Sequence, residues 1–155
     1  MSRVAGYKDE DYIRGKAPMT KREVRILTIS LLGIQEKDVV VDIGAGTGGL
    51  TMEAAYAANE GRVYAVEAKD AALELEKQNI EKFGAGNVTI IPGKAPAVLD
   101  EIKEKVDKVI IGGTGGQLEA VFIWCKEHLN PGGRLAANFV TMENASLAST
   151  LMRKY

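Results

Sequence analysis

What this chain has little of narrows its identity first. It carries one cysteine among 155 residues, which excludes an intrachain disulfide framework and a cysteine-rich metal site. The lone thiol, Cys125, suits a reducing compartment, so a cytoplasmic location is expected, with no metal centre. Neither sign of charge is in excess. Twenty Lys and Arg face 21 Asp and Glu, for a net charge of −1, which favours neither nucleic acid nor membrane as a partner. No apolar run approaches the roughly 20 residues of a membrane span. The opening MSRVAGYKDEDY has no apolar centre and does not read as a signal peptide. There is no low-complexity tract and no clear repeat. With 46% hydrophobic and 26% charged residues, the composition predicts one globular domain over residues 1–155 with a substantial core. An arm and helix occupy 1–33, and the core occupies 34–155.

Glycine, in contrast, is plentiful, and its placement is informative. Residues 39–50 read VVVDIGAGTGGL. The apolar run without a period suits a strand buried on both faces, as in a parallel sheet. Glycines at 44, 46, 48 and 49 allow a turn with positive φ and a close approach of ligand to backbone. LTMEAA then begins a helix. A strand, a glycine loop and a helix N-terminus offer free N–H groups and a positive dipole end to a nucleotide-like molecule. Gly44, Gly46 and Gly49 fit the dinucleotide fingerprint, while Gly44, Gly46 and Gly48 fit G-x-G-x-G. Glu67 ends the next apolar run, 23 residues beyond Gly44. That spacing suits an acid on ribose hydroxyls but does not choose between cofactors.

The remaining elements follow in order. Thr20 and Glu23 match a capping box, followed by a helix with Val24, Leu27, Ile29, Leu31 and Leu32 as its apolar face and Gly33 as its stop. Residues 1–19 read as a loosely packed polar arm. Helices are predicted over 48–58, from Asp70 as cap to Phe83, over 95–103, over 117–128, and after Thr141 as cap. Strands are predicted at 62–66, 88–91, 106–111 and 134–140. Leu118, Val121, Phe122 and Cys125 should face inward, and Leu147, Ala148, Leu151 and Met152 keep helical spacing. His128 and Trp124 lie away from the strand ends and read as structural. Five strands alternating with helices predict an α/β, doubly wound, mostly parallel sheet. Its ligand should sit beyond the strand ends, where Asp42, Glu67, Gly93 and Gly112 fall.

Four stretches carry a resemblance. DIGAGTGG at 42–49 is similar to motif I of the Rossmann-like S-adenosyl-L-methionine (SAM) methyltransferases. GKAPMTKREVR at 15–25, PGKAP at 92–96 and IIGGTGG at 110–116 extend it. Together they resemble the cobalamin-pathway precorrin methyltransferases that methylate carbon 15 and decarboxylate an acetate side chain, over about residues 7–145. The resemblance implies the class I SAM methyltransferase fold, here without its last two strands. It implies SAM as cofactor, with S-adenosylhomocysteine as product, held by Thr20, Asp42, Gly44, Ala45, Gly46, Thr47, Gly48, Glu67, Ala95 and Gly112. Gly113 would face the substrate. A homo-oligomer, commonly a tetramer, is implied as well.

Methyl transfer from a sulfonium is an in-line displacement that needs alignment more than a dedicated acid or base, so no catalytic residue is assigned. A tetrapyrrole substrate, precorrin or cobalt-precorrin, carries many carboxylates. Residues 1–25 hold seven basic against four acidic side chains, and Arg14, Lys16 and Arg22 are the expected carboxylate contacts. The alternatives are a SAM methyltransferase acting on RNA, protein or another small molecule, an NAD-dependent oxidoreductase, and a SAM-binding module without catalysis. If the fifth strand is an edge, its apolar side chains and unpaired backbone groups favour association.

Overall fold

The apolar runs assemble as one parallel sheet. The computed structural model describes residues 2–155. Its strands are β1 (Val39–Ile43), β2 (Arg62–Glu67), β3 (Val88–Pro92), β4 (Val106–Ile111) and β5 (Leu129–Ala137). They stand in the order β3-β2-β1-β4-β5, every neighbouring pair parallel. The order reverses between β1 and β4, so a crevice opens at their carboxyl ends. Helices α1 (Arg22–Leu32), α2 (Gly49–Ala57), α3 (Asp70–Phe83), α4 (Leu118–His128) and α5 (Met142–Lys154) complete the chain.

Alternation along the central strands explains the two layers. Val40, Val63 and Ile110 join Ile29 and Leu32 of α1 and Met52, Ala54 and Ala55 of α2 in one core. Val41, Ile43, Val66, Val109 and Ile111 face the other way, onto Val121, Phe122 and Cys125 of α4 and Ala148 and Leu151 of α5. Both faces are covered, as the doubly wound expectation requires. β5 pairs with β4 alone and is an edge of the sheet.

Several boundaries differ from the sequence expectation. Thr20 does not cap α1. The N-cap is Lys21, without a side-chain bond, and the Thr20 carbonyl instead accepts from Arg25 Nη1 at 2.6 Å. Asp70 is the first residue of α3 rather than its cap. Residues 95–103 form only a 3-10 turn, Ala97–Glu101. β5 starts at Leu129, which already pairs with Val106 before 130–133 loop out, and it ends at Ala137 rather than at 140. On α1 the buried face is Arg25, Thr28, Ile29 and Leu32, whereas Val24, Leu27 and Leu31 are exposed. Thr141 does cap α5, accepting from Asn144 N–H at 3.3 Å.

The arm is the largest departure. It is strapped down, with Tyr12 and Met19 buried. Arg25, 0% exposed, donates through Nη2 to Tyr7 O at 2.6 Å and through Nη1 to Asp9 Oδ1 at 2.7 Å. Its guanidinium lies 4.8 Å from the Tyr12 ring centroid, and its Nε lies 3.7 Å from Glu53 Oε1. Glu53, fully buried on α2, accepts from Gly6 and Tyr7 N–H at 3.0 and 2.9 Å. Asn79 of α3 exchanges bonds with both backbone groups of Ile13. A buried ion pair contributes little against an apolar substitute, but breaking one side strands the other charge. Arg25→Met should therefore lower unfolding free energy by about 3–5 kcal/mol in urea titrations and expose the arm to proteolysis. A loss below about 1 kcal/mol, the scale of a surface pair, would show that the strap is held by other contacts.

Candidate functional site

The site begins where β1 runs out. After Ile43 the chain turns at Gly44, with φ +74°. Gly44 and Ala45 N–H both donate to Val66 O, at 2.9 and 3.0 Å, tying the loop to β2. On the other side Gly112 N–H donates to Ile43 O at 2.8 Å. A methyl group added at Gly44 would lie 2.5 Å from Gly113 N and 2.6 Å from its carbonyl oxygen. The two loops therefore meet main chain against main chain, and only glycine permits the approach. Gly48, with φ +91°, stands at the N-cap of α2.

Glu67 closes β2, and its carboxylate is already oriented. Oε2 accepts from Gly46 N–H at 2.7 Å, and Oε1 accepts from Ala68 and Lys69 N–H at 2.9 Å each. These bonds hold the acid across the loop. The cleft above measures about 510 Å³, the size of a small-molecule site. Gly44 and Gly46 floor it, Glu67 and Ala95 line one side, and Gly113 to Gly115 line the other. Ala17 and Pro18 of the arm reach its mouth. An open depression near Asp100, Lys105 and His128 lies at the amino end of β4, remote from these loops.

Beneath the loop is a second layer of acid. Asp42, 1% exposed, accepts from Thr51 Oγ1 at 2.7 Å. The same hydroxyl lies 3.3 Å from Glu76 Oε1. Burial, opposed by the Thr51 hydrogen bond and aided by the Glu67 charge, pushes Asp42 up to about 6. Burial first, then the Asp42 charge, pushes Glu76 up to about 8. Two buried oxygens near the loop, Thr47 Oγ1 and Glu76 Oε2, have no partner among the described residues.

The structure thus gathers Gly44, Gly46, Glu67, Ala95 and Gly113 around one cleft, with Ala45 and Gly48 in its loop and Asp42 and Thr47 buried below. Gly112 borders a smaller pocket with Asn138 and Phe139. Thr20 is not among the lining residues. The basic arm is placed differently from the expectation. Arg14 and Lys16 are exposed just before Ala17, and Arg22 Nε donates to Gly6 O at 2.7 Å. The cations at the cleft are Lys69 and Lys94, neither paired with a carboxylate among the described residues. The Lys94 stem crosses Gly115, where an added methyl would lie 2.6 Å from Cε and 3.2 Å from Nζ. Sequence reading passed over Lys94 although it stands inside PGKAP, and over Glu76, whose surroundings read as an ordinary helix. His128 stacks on Trp124 with centroids 4.4 Å apart, and Cys125 is buried, so both are structural as expected.

Comparison with known proteins agrees with this geometry. The family profile described as a precorrin methyltransferase domain matches residues 11–155. The cobalt-precorrin-6B C(15)-methyltransferase (decarboxylating) of Salmonella typhimurium is 44% identical over 138 residues, covering 88% of this chain and 70% of that protein. The crystal structure of a precorrin-6y C5,15-methyltransferase from Geobacter metallireducens superposes with TM-score 0.92 at 34% identity, covering 96% of this chain and 78% of that one. A SAM-dependent O-methyltransferase of Thermotoga maritima, 23% identical, shares the fold with TM-score 0.78 over 90% of this chain and 52% of that one. The fold is that of the class I SAM methyltransferases.

The raised carboxyls give a stability test. Unfolded, Asp42 and Glu76 ionise at ordinary carboxylate pH; folded, they keep protons up to about 6 and about 8. The folded state binds more protons, so this contribution is complete at low pH and is lost as pH rises through those values. Glu76→Gln should melt near wild type at about pH 5 and roughly 5 °C higher at about pH 8.5 by circular dichroism. A pH-independent gap between the two proteins would contradict the assignment.

Proposed function

The chain belongs to the precorrin methyltransferase family, and on that premise we propose that it is a SAM-dependent C-methyltransferase of cobalamin biosynthesis. It methylates carbon 15 of a precorrin or cobalt-precorrin and decarboxylates an acetate side chain. The observation that carries this reading is the glycine-floored cleft at the β1–β4 reversal, with Glu67 already oriented across it. Residues 1–155 act as a single methyltransferase domain.

The residues fit the cofactor. The Gly44–Gly113 contact leaves main chain alone at the floor, so a ligand can approach it closely. Glu67 accepts the two ribose hydroxyls, and Ala95 leaves room for a flat base beside β3. The 44–48 loop, with Asp42 buried beneath it, holds the cationic amino-acid end, and Ala17 and Pro18 rather than Thr20 close from the arm side. Bound SAM supplies a methyl group on a sulfonium. Gly112 and Gly113 keep that face free of side chains, so a flat ring can come close and aligned, which is the main requirement of an in-line displacement. In decarboxylation the C–C bond breaks to release CO2, its electron pair passes into the conjugated ring, and a proton from solvent is then taken up at the side-chain carbon, so the protein's part is to orient the acetate.

The substrate's carboxylates call for cations. Lys94, held across Gly115, and Lys69 supply them at the mouth, with Arg14 and Lys16 further out along the arm. Arg22 completes the basic surface of the arm. A homo-oligomer is supported by the exposed Val24, Leu27, Leu31, Val140 and Met142. The buried thiol of Cys125, pushed up to about 12, suits a reducing cytoplasm.

Ligand-induced thermal shifts test the cofactor. S-adenosylhomocysteine should stabilise the protein and NAD should not. Glu67→Gln, which keeps the shape and halves the acceptors, should weaken SAM about tenfold by calorimetry, the scale of one hydrogen bond to a charged group. Stabilisation by NAD alone would overturn the reading. Turnover of a precorrin then tests the rim. Lys94→Gln should raise KM for the tetrapyrrole several-fold, leave SAM affinity unchanged, and be partly rescued by Lys94→Arg. Equal losses in both ligands would count against a substrate contact.

A further inference from the structure

Glu76 has no place in the chemistry above, yet it is 0% exposed and lies directly under the cofactor loop. A methyl group added at Gly48 would sit 3.4 Å from its Cγ and 3.7 Å from Oε1. No lysine or arginine pairs with it among the described residues. The one buried arginine nearby, Arg25, is engaged by Asp9 and Glu53. The charged groups that act on Glu76 are Asp42 from β1 and Glu67 from β2, both acids. From α2 it meets the Thr51 hydroxyl, and from the loop it meets Gly48.

Hydrogen counting fixes the direction of the chain. The Thr51 hydroxyl has one proton. At 2.7 Å to Asp42 Oδ2, against 3.3 Å to Glu76 Oε1, that proton goes to Asp42. Thr51 then has only lone pairs to offer Glu76, so Glu76 can complete the contact only as a donor, that is, as a protonated acid. The sequence Glu76 O–H to Thr51 O–H to Asp42 carboxylate gives each of the three groups a partner and leaves Glu76 Oε2 alone without one. Two ionised carboxylates would leave one of them buried and short of donors, as the orphaned Glu76 Oε2 already is.

We propose that Glu76 is a positioning residue for the cationic cofactor, holding through Thr51 the one proton that it and Asp42 share and releasing it when the cation seats above. This rests on the SAM reading of the cleft. On release the carboxyl O–H bond breaks, its electron pair stays on the oxygen, and the proton passes to buffer. The floor gains one negative charge as the cofactor arrives with both its ammonium and its sulfonium, and regains its proton once the product, which keeps the ammonium alone, is left. The floor thereby binds the cofactor in preference to the product, which has lost the sulfonium charge, a discrimination that fixed carboxylates achieve only by staying ionised without a partner.

Two measurements test this. Infrared spectra of ligand-free protein near pH 7 should contain a protonated-carboxyl band that Glu76→Gln lacks, and SAM should diminish it. Calorimetry of SAM binding in phosphate and in Tris counts protons. Wild type should release about half a proton or more beyond the Gln variant, and its affinity should rise toward tenfold per pH unit between the two carboxyl titrations. The cofactor's own ammonium titrates nearby, but equally in both proteins, so the difference reads Glu76. S-adenosylhomocysteine should release less. A ligand-free spectrum unchanged by Glu76→Gln, or equal proton counts in the two folded proteins, would overturn the proposal. Failure of SAM to bind folded wild type would overturn the cofactor reading itself, whereas binding without the extra proton release would overturn this inference alone.

Discussion

The approach of Gly44 to Gly113 is the constraint on which the site depends. β1 and β4 are adjacent and parallel, and their chains separate just past Ile43 and Ile111. Were Gly44 to carry a side chain, its Cβ would meet the Gly113 backbone, the loops would be pushed apart and the Gly112 N–H to Ile43 O bond would be strained. Contact between bare backbones keeps the end of the sheet level. That level floor lets Val66 O hold Gly44 and Ala45 while Glu67 crosses to Gly46. The sheet supplies the rigidity, and the loops need only be short and free of side chains where they meet. A site built this way inherits its precision from strand register rather than from loop stiffness.

Two buried acids on neighbouring helices show how differently such groups can be used. Glu53 on α2 faces Arg25 and two backbone N–H groups, and those partners oppose the upward push of burial on its carboxyl. It fastens the arm, and through the arm it sets Ala17 and Pro18 at the cleft. Glu76 on α3 has no cation and a single 3.3 Å hydrogen-bond contact among the described residues, and its carboxyl is pushed well up. The first arrangement is closed and structural. The second is incomplete within the protein, which is the condition under which an arriving cation changes its state.

The large features were legible because they rest on local rules. Apolar runs placed all five strands, αL glycines at 33 and 84 ended their helices, and Thr141 capped α5. The misreadings share one cause, a distant partner outweighing a local pattern. Thr20 looked like a cap, but its carbonyl serves Arg25. The arm looked loose because nothing within it announces that Glu53 and Asn79 wait on α2 and α3. Residues 95–103 had helical composition, yet they cross over β3 as a short turn with Leu99 and Ile102 packed inward. Val24, Leu27 and Leu31 belong to the broad apolar face that the spacing predicts for α1 yet are exposed, because hydrophobic spacing alone gives no sign that Arg25 occupies the inner face. In the cleft, Gly44, Gly46 and Glu67 were readable from spacing, whereas Glu76 and Lys94 became visible only once α3 passed beneath the loop and Lys94 crossed Gly115.

Charge is sorted across this small site in a way composition hides. The net value of −1 over the whole chain conceals an acidic floor and a basic rim at the cleft. Asp42, Glu67 and Glu76 gather under and beside the loop that would meet a cation, while Lys69 and Lys94 stand at the mouth that would meet carboxylates. Coulomb attraction is strong in the buried floor and screened at the open rim. An acidic floor of this kind favours the more positively charged of two ligands, whereas an open rim mainly guides and orients. An enzyme that joins a cationic donor to a polyanionic acceptor must keep the two from pairing in the wrong orientation. Placing an oppositely charged wall behind each partner, acid behind the cation and base behind the anion, would align the two, which suits the proposed transfer face lined by glycine backbone at Gly44, Gly112 and Gly113.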